Sequence, residues 1–209
     1  MKIAFIGIGV MGLPMAGHLL GAGHELNVFT RTPSKAEPLA KEGARVFDAI
    51  APCVQGREAI ITMVGFPRDV EEVYLGHGGI IKSAPKGALA IDMTTTSPAL
   101  WEKIAMAARQ KGLRPLDAPV SGGDSGARAG TLAIMVGGAA ADFEAALPLF
   151  QKMGRNIVHE GPDGAGQHTK MANQIAIAGA VAGVAEAIRY GEAAELALEK
   201  LLATISTGA

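Results

Sequence analysis

A glycine-rich turn set between a short apolar run and a helical run constrains this chain more than any other feature. Residues 2–6 lead directly into Gly7-Ile8-Gly9-Val10-Met11-Gly12, and a helical pattern continues through Leu20. A G-x-G-x-x-G string is weak evidence by itself, but a position between a strand and a helix is what phosphate binding requires. In that setting Gly7 makes the tight turn, Gly9 lets the backbone approach a pyrophosphate, and Gly12 allows the helix to pack close to the strand. The free N–H groups of the helix then face the negative charge. Val10 and Met11 complete the loop. The same glycines and Pro14 interrupt the apolar run, which argues against a secretory signal.

If the loop holds a dinucleotide, the end of the second strand should choose it, because a carboxylate there suits the 2′-hydroxyl of NAD and an arginine the 2′-phosphate of NADP. The chain reads Thr30-Arg31-Thr32, with Ser34 and Lys35 following. Arg31 can stack on adenine and grip phosphate in bidentate fashion, and Thr32 can donate a hydroxyl. The expectation is NADP, with NAD less favoured.

Short aliphatic runs alternate with helical patterns over the first 160 or so residues, as in a parallel sheet with helices on its faces. Strands are expected at 2–6, 26–30, 45–47, 59–64, 88–93, 114–118, 131–136 and 156–159. Gly23, Gly43 and Gly112 each follow a helical run, and Ser97-Pro98 is a helix start. From Gly164 the strands stop. One long helix to about Tyr190 should lead into another from Glu192 to about Ile205, giving a domain at 1–163 and the beginning of a helical domain at 164–209. The uncharged stretch 171–185 looks too short for the ~20 residues of a membrane crossing and reads as a buried helix.

Lysine plus arginine (19) nearly balance aspartate plus glutamate (20), so no broad field exists to draw nucleic acid or an anionic membrane. Any anion must be caught locally. Cys53 is the single cysteine, nothing near it has metal-ligand spacing, and a cytoplasmic protein without metal is expected.

Three segments in order resemble the β-hydroxyacid dehydrogenase family of the 3-hydroxyisobutyrate dehydrogenase and tartronate semialdehyde reductase type. They are GIGVMGLPMAGHLL at 7–20, DAPVSGG at 117–123 and GAGQHTKMANQ at 164–174. The resemblance implies an α/β fold, a Rossmann-type doubly wound and mainly parallel sheet, followed by a linker helix and the start of an all-α domain. It also implies hydride exchange between NADP(H) and a small β-hydroxyacid or its semialdehyde, such as tartronate or succinic semialdehyde, or glyoxylate. NAD-dependent 3-hydroxyisobutyrate oxidation is the alternative.

The segments also make sense individually. Ser121, Gly122 and Gly123 offer a hydroxyl and unobstructed amides to a substrate carboxylate. Lys170, Asn173 and Gln174 lie three and four apart on a helix and can share one face, whereas His168 lies on another. The resemblance implies that Lys170 donates a proton to the carbonyl oxygen, that Asn173 orients it or the substrate hydroxyl, and that Gln174 contacts substrate. It further implies that Met63, Val64 and Gly65, with Phe66 and Pro67, line the coenzyme cleft and that Thr95 lies near the nicotinamide. His18 stands where the family usually has asparagine, at a position expected to face away from the phosphates. Family members run longer, so the chain is expected to be C-terminally truncated, to bind coenzyme, to turn over slowly or not at all, and to form a homo-oligomer through its helical region.

Overall fold

The apolar strand residues alternate between two faces, and both faces are covered. Ile3 and Phe5 of the first strand enter one core with Val28, Ile61, Ile91 and Leu116, while Ala4 and Ile6 enter a second with Ile60, Tyr74, Ala90 and Trp101. Each fully buried large side chain contributes about 1.5–3 kcal/mol, so a sheet loaded on both faces needs helices on both.

A computed structural model describes residues 1–208 and shows this arrangement. The strands are β1 (Lys2–Ile6), β2 (Glu25–Phe29), β3 (Arg45–Phe47), β4 (Ala59–Thr62), β5 (Leu89–Asp92), β6 (Arg114–Asp117), β7 (Val120–Ser121), β8 (Leu132–Gly138) and β9 (Gly154–Gly161). The sheet order is β3-β2-β1-β4-β5-β6-β8-β7, with β9 also paired to β8. Its first six strands are mutually parallel, and β8 runs antiparallel to β6 and β7. The chain direction across the sheet reverses beside β1, and ligands of doubly wound sheets bind outside the strand C-termini at such a point. All eight expected strands are present within two residues at each end. The two-residue β7 escapes a reading that needs longer runs.

Gly23, Gly43 and Gly112 all adopt positive φ. Ser97 accepts the Leu100 N–H at 3.5 Å at the start of helix Pro98–Gln110.

The chain forms two compact units, Met1–Lys170 and one beginning at Met171. Helix Ala165–Ala193 runs 29 residues and is followed by helix Leu198–Gly208. The break therefore falls after Ala193, not at Glu192 as the sequence suggests. Glu195 takes φ +56°, its N–H donates to the Glu192 carbonyl, and the Leu196 N–H donates to the Gly191 carbonyl. This is a Schellman cap with glutamate in the position glycine normally marks, which hides it from a reader searching for glycine. Gly191 is small because a Cβ there would meet Leu198 and Leu201.

A second correction concerns residues 171–185. The helix containing them, Ala165–Ala193, is by length and composition long and apolar enough to cross a membrane, which the stretch taken alone does not reveal. The stretch is not buried: Ile175, Ile177, Val181 and Val184 are all exposed. Among the described residues of its unit, the other helix is Leu198–Gly208.

Candidate functional site

The glycine loop forms the floor of a cleft of about 430 Å³ at the C-terminal ends of β1, β2 and β4. Gly7 has φ +101°, and a Cβ on it would strike the Met63 carbonyl, while a Cβ on Gly12 would strike the Gly7 carbonyl. These two positions are closed by the protein's own backbone. A Cβ on Gly9 would meet nothing in the protein, so that position faces open space. The loop thus presents an unobstructed backbone above the N-terminus of helix Gly12–Gly21, the arrangement a pyrophosphate needs.

Val10, Met11, Arg31, Thr32, Lys35, Met63, Val64 and Gly65 all line this cleft. Phe66 and Pro67, also expected there, are absent from its wall, and Phe66 is exposed. Two carboxylates join the wall from helix Pro67–Leu75: Asp69 and Glu72. Arg31 Nη1 donates to Asp69 Oδ1 at 3.1 Å. No carboxylate stands at the end of β2, but the topology supplies one from across β1.

The start of the helix that carries Lys170 packs against the ends of β6 and β8 and the loop after β5. Lys170 is only 7% exposed, and burial lowers its ammonium pKa from the ordinary lysine value. The root of its helix is pinned twice. Both oxygens of buried Asp117 accept helix N–H groups, from Gly164 at 2.9 Å and from Gln167 at 2.8 Å. The wholly buried Gln167 amide then accepts the Thr96 N–H at 2.9 Å and donates to the Thr94 carbonyl at 2.8 Å. Gly166 is required at this root, since a Cβ there would collide with the Met135 carbonyl and crowd Asp117. Burial raises the Asp117 carboxyl pKa, and its two backbone bonds oppose the rise.

The pinned loop connects back to the glycine-loop cleft. Thr94 Oγ1 accepts the Val64 N–H at 3.0 Å, and the Thr94 N–H donates to Asp92 Oδ1 at 3.1 Å. Thr62 donates to the same Asp92 oxygen at 2.7 Å. Hydrogen bonds therefore run without interruption from Val64 to the helix that carries Lys170. Thr95 is exposed between buried Thr94 and Thr96, outside the wall of the glycine-loop cleft.

Ser121 ends β7, paired with Ala133 of β8, and Gly122 turns at φ +131° into helix Gly123–Ala129. Gly122 and Gly123 are exposed and Ser121 is half-buried. Asn173 is half-buried and Gln174 exposed, both on the continuation of the Lys170 helix within the second unit. His168 is exposed. His18 bonds through Nε2 to the Ala127 carbonyl at 2.9 Å, tying the glycine-loop helix to the helix after Gly122. Asp69, Asp92, Asp117 and Gln167 were not singled out as site residues in the sequence. The signal available was polarity out of place: an acid ending each of two apolar strands, and a glutamine inside an otherwise small-residue helix start.

Comparison with known proteins agrees with this geometry. The model for the NAD binding domain of 6-phosphogluconate dehydrogenase matches residues 2–161, and that for the NAD-binding region of NADP-dependent 3-hydroxyisobutyrate dehydrogenase matches residues 164–209. An uncharacterized oxidoreductase of Bacillus subtilis is 56% identical over 99% of this chain and 72% of its own. The NAD-dependent L-serine dehydrogenase of Pseudomonas aeruginosa is 47% identical over 92% of this chain and 64% of its own. The solved 3-hydroxyisobutyrate dehydrogenase of Mycobacterium tuberculosis with L-serine superposes with a TM-score of 0.91 at 36% identity, over 100% of this chain and 70% of that one. The chain thus spans 64% to 72% of the length of these two curated relatives. It belongs to the β-hydroxyacid dehydrogenase family, a class of oxidoreductases with a nucleotide-binding Rossmann domain. Both matched models describe pyridine-nucleotide-binding regions.

Proposed function

We propose that this chain carries the coenzyme site and the proton donor of an NADPH-dependent reductase for small aldehydes bearing a carboxylate, of the tartronate or succinic semialdehyde or glyoxylate kind. The observation that carries the reading is Lys170, a lysine 7% exposed on a helix whose first turn is hydrogen-bonded to the loop at 94–96. Bound in the cleft, the reduced nicotinamide supplies hydride. The loop backbone at Gly9 would hold the pyrophosphate, with Gly7 and Gly12 shaping the turn, and Arg31, Thr32 and Lys35 would hold the 2′-phosphate. Lys170 gives its proton to the carbonyl oxygen as negative charge develops there, and burial makes it a stronger acid for that purpose. Ser121 and the amides of Gly122 and Gly123 would take the substrate carboxylate; Asn173 and Gln174 would serve further along the helix that carries Lys170. The exposed apolar residues Ile175, Val181 and Val184 support self-association through the helical region.

NAD-dependent oxidation of a 3-hydroxyacid is the second reading, favoured by the Arg31–Asp69 ion pair, which offsets the arginine's charge. Titration of both coenzymes tests the first. Tighter binding of NADPH, lost in Arg31→Asp, is expected, because a charge-assisted contact contributes about 1.5–3 kcal/mol. Equal affinities, or an Arg31→Asp variant that retains the preference, would refute it. A panel of carboxylate-bearing aldehydes followed by NADPH absorbance then identifies the substrate.

A further inference from the structure

Asp69 reaches the coenzyme cleft because β4 and β2 flank β1, which brings the helix after β4 beside the end of β2. Its side chain is 8% exposed, whereas that of its partner Arg31 is 74% exposed. Asp69 Oδ2 accepts the Phe66 N–H at 3.0 Å, a bond that closes the start of helix Pro67–Leu75. The carboxylate is therefore fixed by the helix, and the arginine is the partner free to rearrange.

Two opposed effects follow for a phosphate gripped by Arg31. As a tether, Asp69 reduces the ordering that Arg31 must undergo on binding. As a counter-charge, it competes for the guanidinium and repels the phosphate. A single contact to a largely solvated arginine orders it little, so the tether is weak. The repulsion persists however Arg31 turns, because the carboxylate cannot leave. The counter-charge wins.

We propose that Asp69 is a specificity-determining residue of the coenzyme site: its fixed negative charge weakens the hold on a 2′-phosphate relative to a 2′-hydroxyl, so that Arg31 and Asp69 together set the NADP-to-NAD preference. The inference rests on the reading that Arg31 meets the adenosine ribose, and deepens it by naming the group that opposes Arg31. Calorimetric titration of NADP⁺ and NAD⁺ into the protein and into Asp69→Asn tests it. Asparagine retains an oxygen for the Phe66 N–H, and Asp69→Ser provides a second neutral side chain able to accept that bond. The ratio of the NAD⁺ to the NADP⁺ dissociation constant is expected to rise about three- to tenfold in the neutral variants, chiefly through tighter NADP⁺ binding. Loss of fold would weaken both coenzymes and leave the ratio in place.

A smaller rise, from repulsion of the phosphate alone, is expected when Asp69→Asn is added to Arg31→Ala, where neither a tether nor a competition for the guanidinium remains. With coenzyme affinity retained, an unchanged or falling ratio, a rise that disappears in the Arg31→Ala background, or a charge-keeping Asp69→Glu that shifts the ratio as far as asparagine each overturns the proposal. Arg31→Ala alone reports separately on Arg31: a ratio it leaves unchanged defeats the NADPH reading, while the Asp69 effect is still read from its own pair of variants.

Discussion

Burial gives Lys170 its chemistry, because an ammonium removed from water surrenders its proton more readily than one at the surface. Hydride addition leaves a full negative charge on the carbonyl oxygen, and a positioned acid contributes about 10²–10⁴-fold. In an active full-length enzyme Lys170→Ala should lower kcat by at least that range and leave coenzyme affinity nearly unchanged, since the proposed coenzyme anchors are the glycine loop and Arg31. Lys170→Arg should not rescue turnover, because guanidinium is too weak an acid. Reduction should also fail, as pH rises, below the ordinary lysine range. Near-normal turnover by the alanine variant would reduce Lys170 to a structural residue. Lys170 and Arg31 could be picked out in the sequence, the one within a motif and the other at the end of a predicted strand. Asp69 could not, since its nearness to Arg31 depends on strand order, which local sequence does not encode.

At the level of elements, the loop and the helix root make separable predictions. Gly9→Ala places a methyl in open space, so the melting temperature should hold while coenzyme binding falls. Gly12→Ala drives a methyl into the Gly7 carbonyl, so both should fall. Thermal unfolding run beside coenzyme titration distinguishes the cases, and equal behaviour of the two variants would mean that Gly9 does not face the ligand. At the other root, Asp117→Ala leaves two helix N–H groups buried without their acceptor. A loss of about 2–5 kcal/mol is expected in urea unfolding, and a loss within experimental error would show that the helix root relaxes without it. Strands and helices were legible here because periodicity is local. The helix break at Glu195 was not, because a glutamate in left-handed conformation carries no compositional mark.

The whole sheet sets the pH response, because two of its parallel strands end on buried acids, Asp92 on β5 and Asp117 on the adjacent β6. The parallel architecture was legible from the alternation of runs, but the pairing Asp92↔Asp117 needs the strand order and register. Burial pushes the Asp92 carboxyl up to about 7, against three hydrogen-bonding contributions from Thr62 and Thr94 that pull it down, and Asp117 adds a smaller upward push. Its Oδ2 has no hydrogen-bond partner among the described residues. The folded state therefore holds a proton that the unfolded chain, near the ordinary value of 3.8, releases earlier. The resulting stabilisation is full below that ordinary value and is lost as pH rises through about 7. At about 1.4 kcal/mol per pH unit the whole loss is roughly 4 kcal/mol, and the raised Asp117 adds to it with the same sign. His24, lowered first by its burial, works in the opposite direction. Unfolding free energy measured in urea should accordingly fall between pH 5 and pH 8, by an amount of order 3 kcal/mol. Asp92→Asn keeps an oxygen for Thr62 and Thr94 but carries no charge at any pH, so its stability should vary much less over the same interval and exceed that of the parent at pH 8. A variant that reproduced the parent's decline would remove Asp92 as its source and leave Asp117 to account for it.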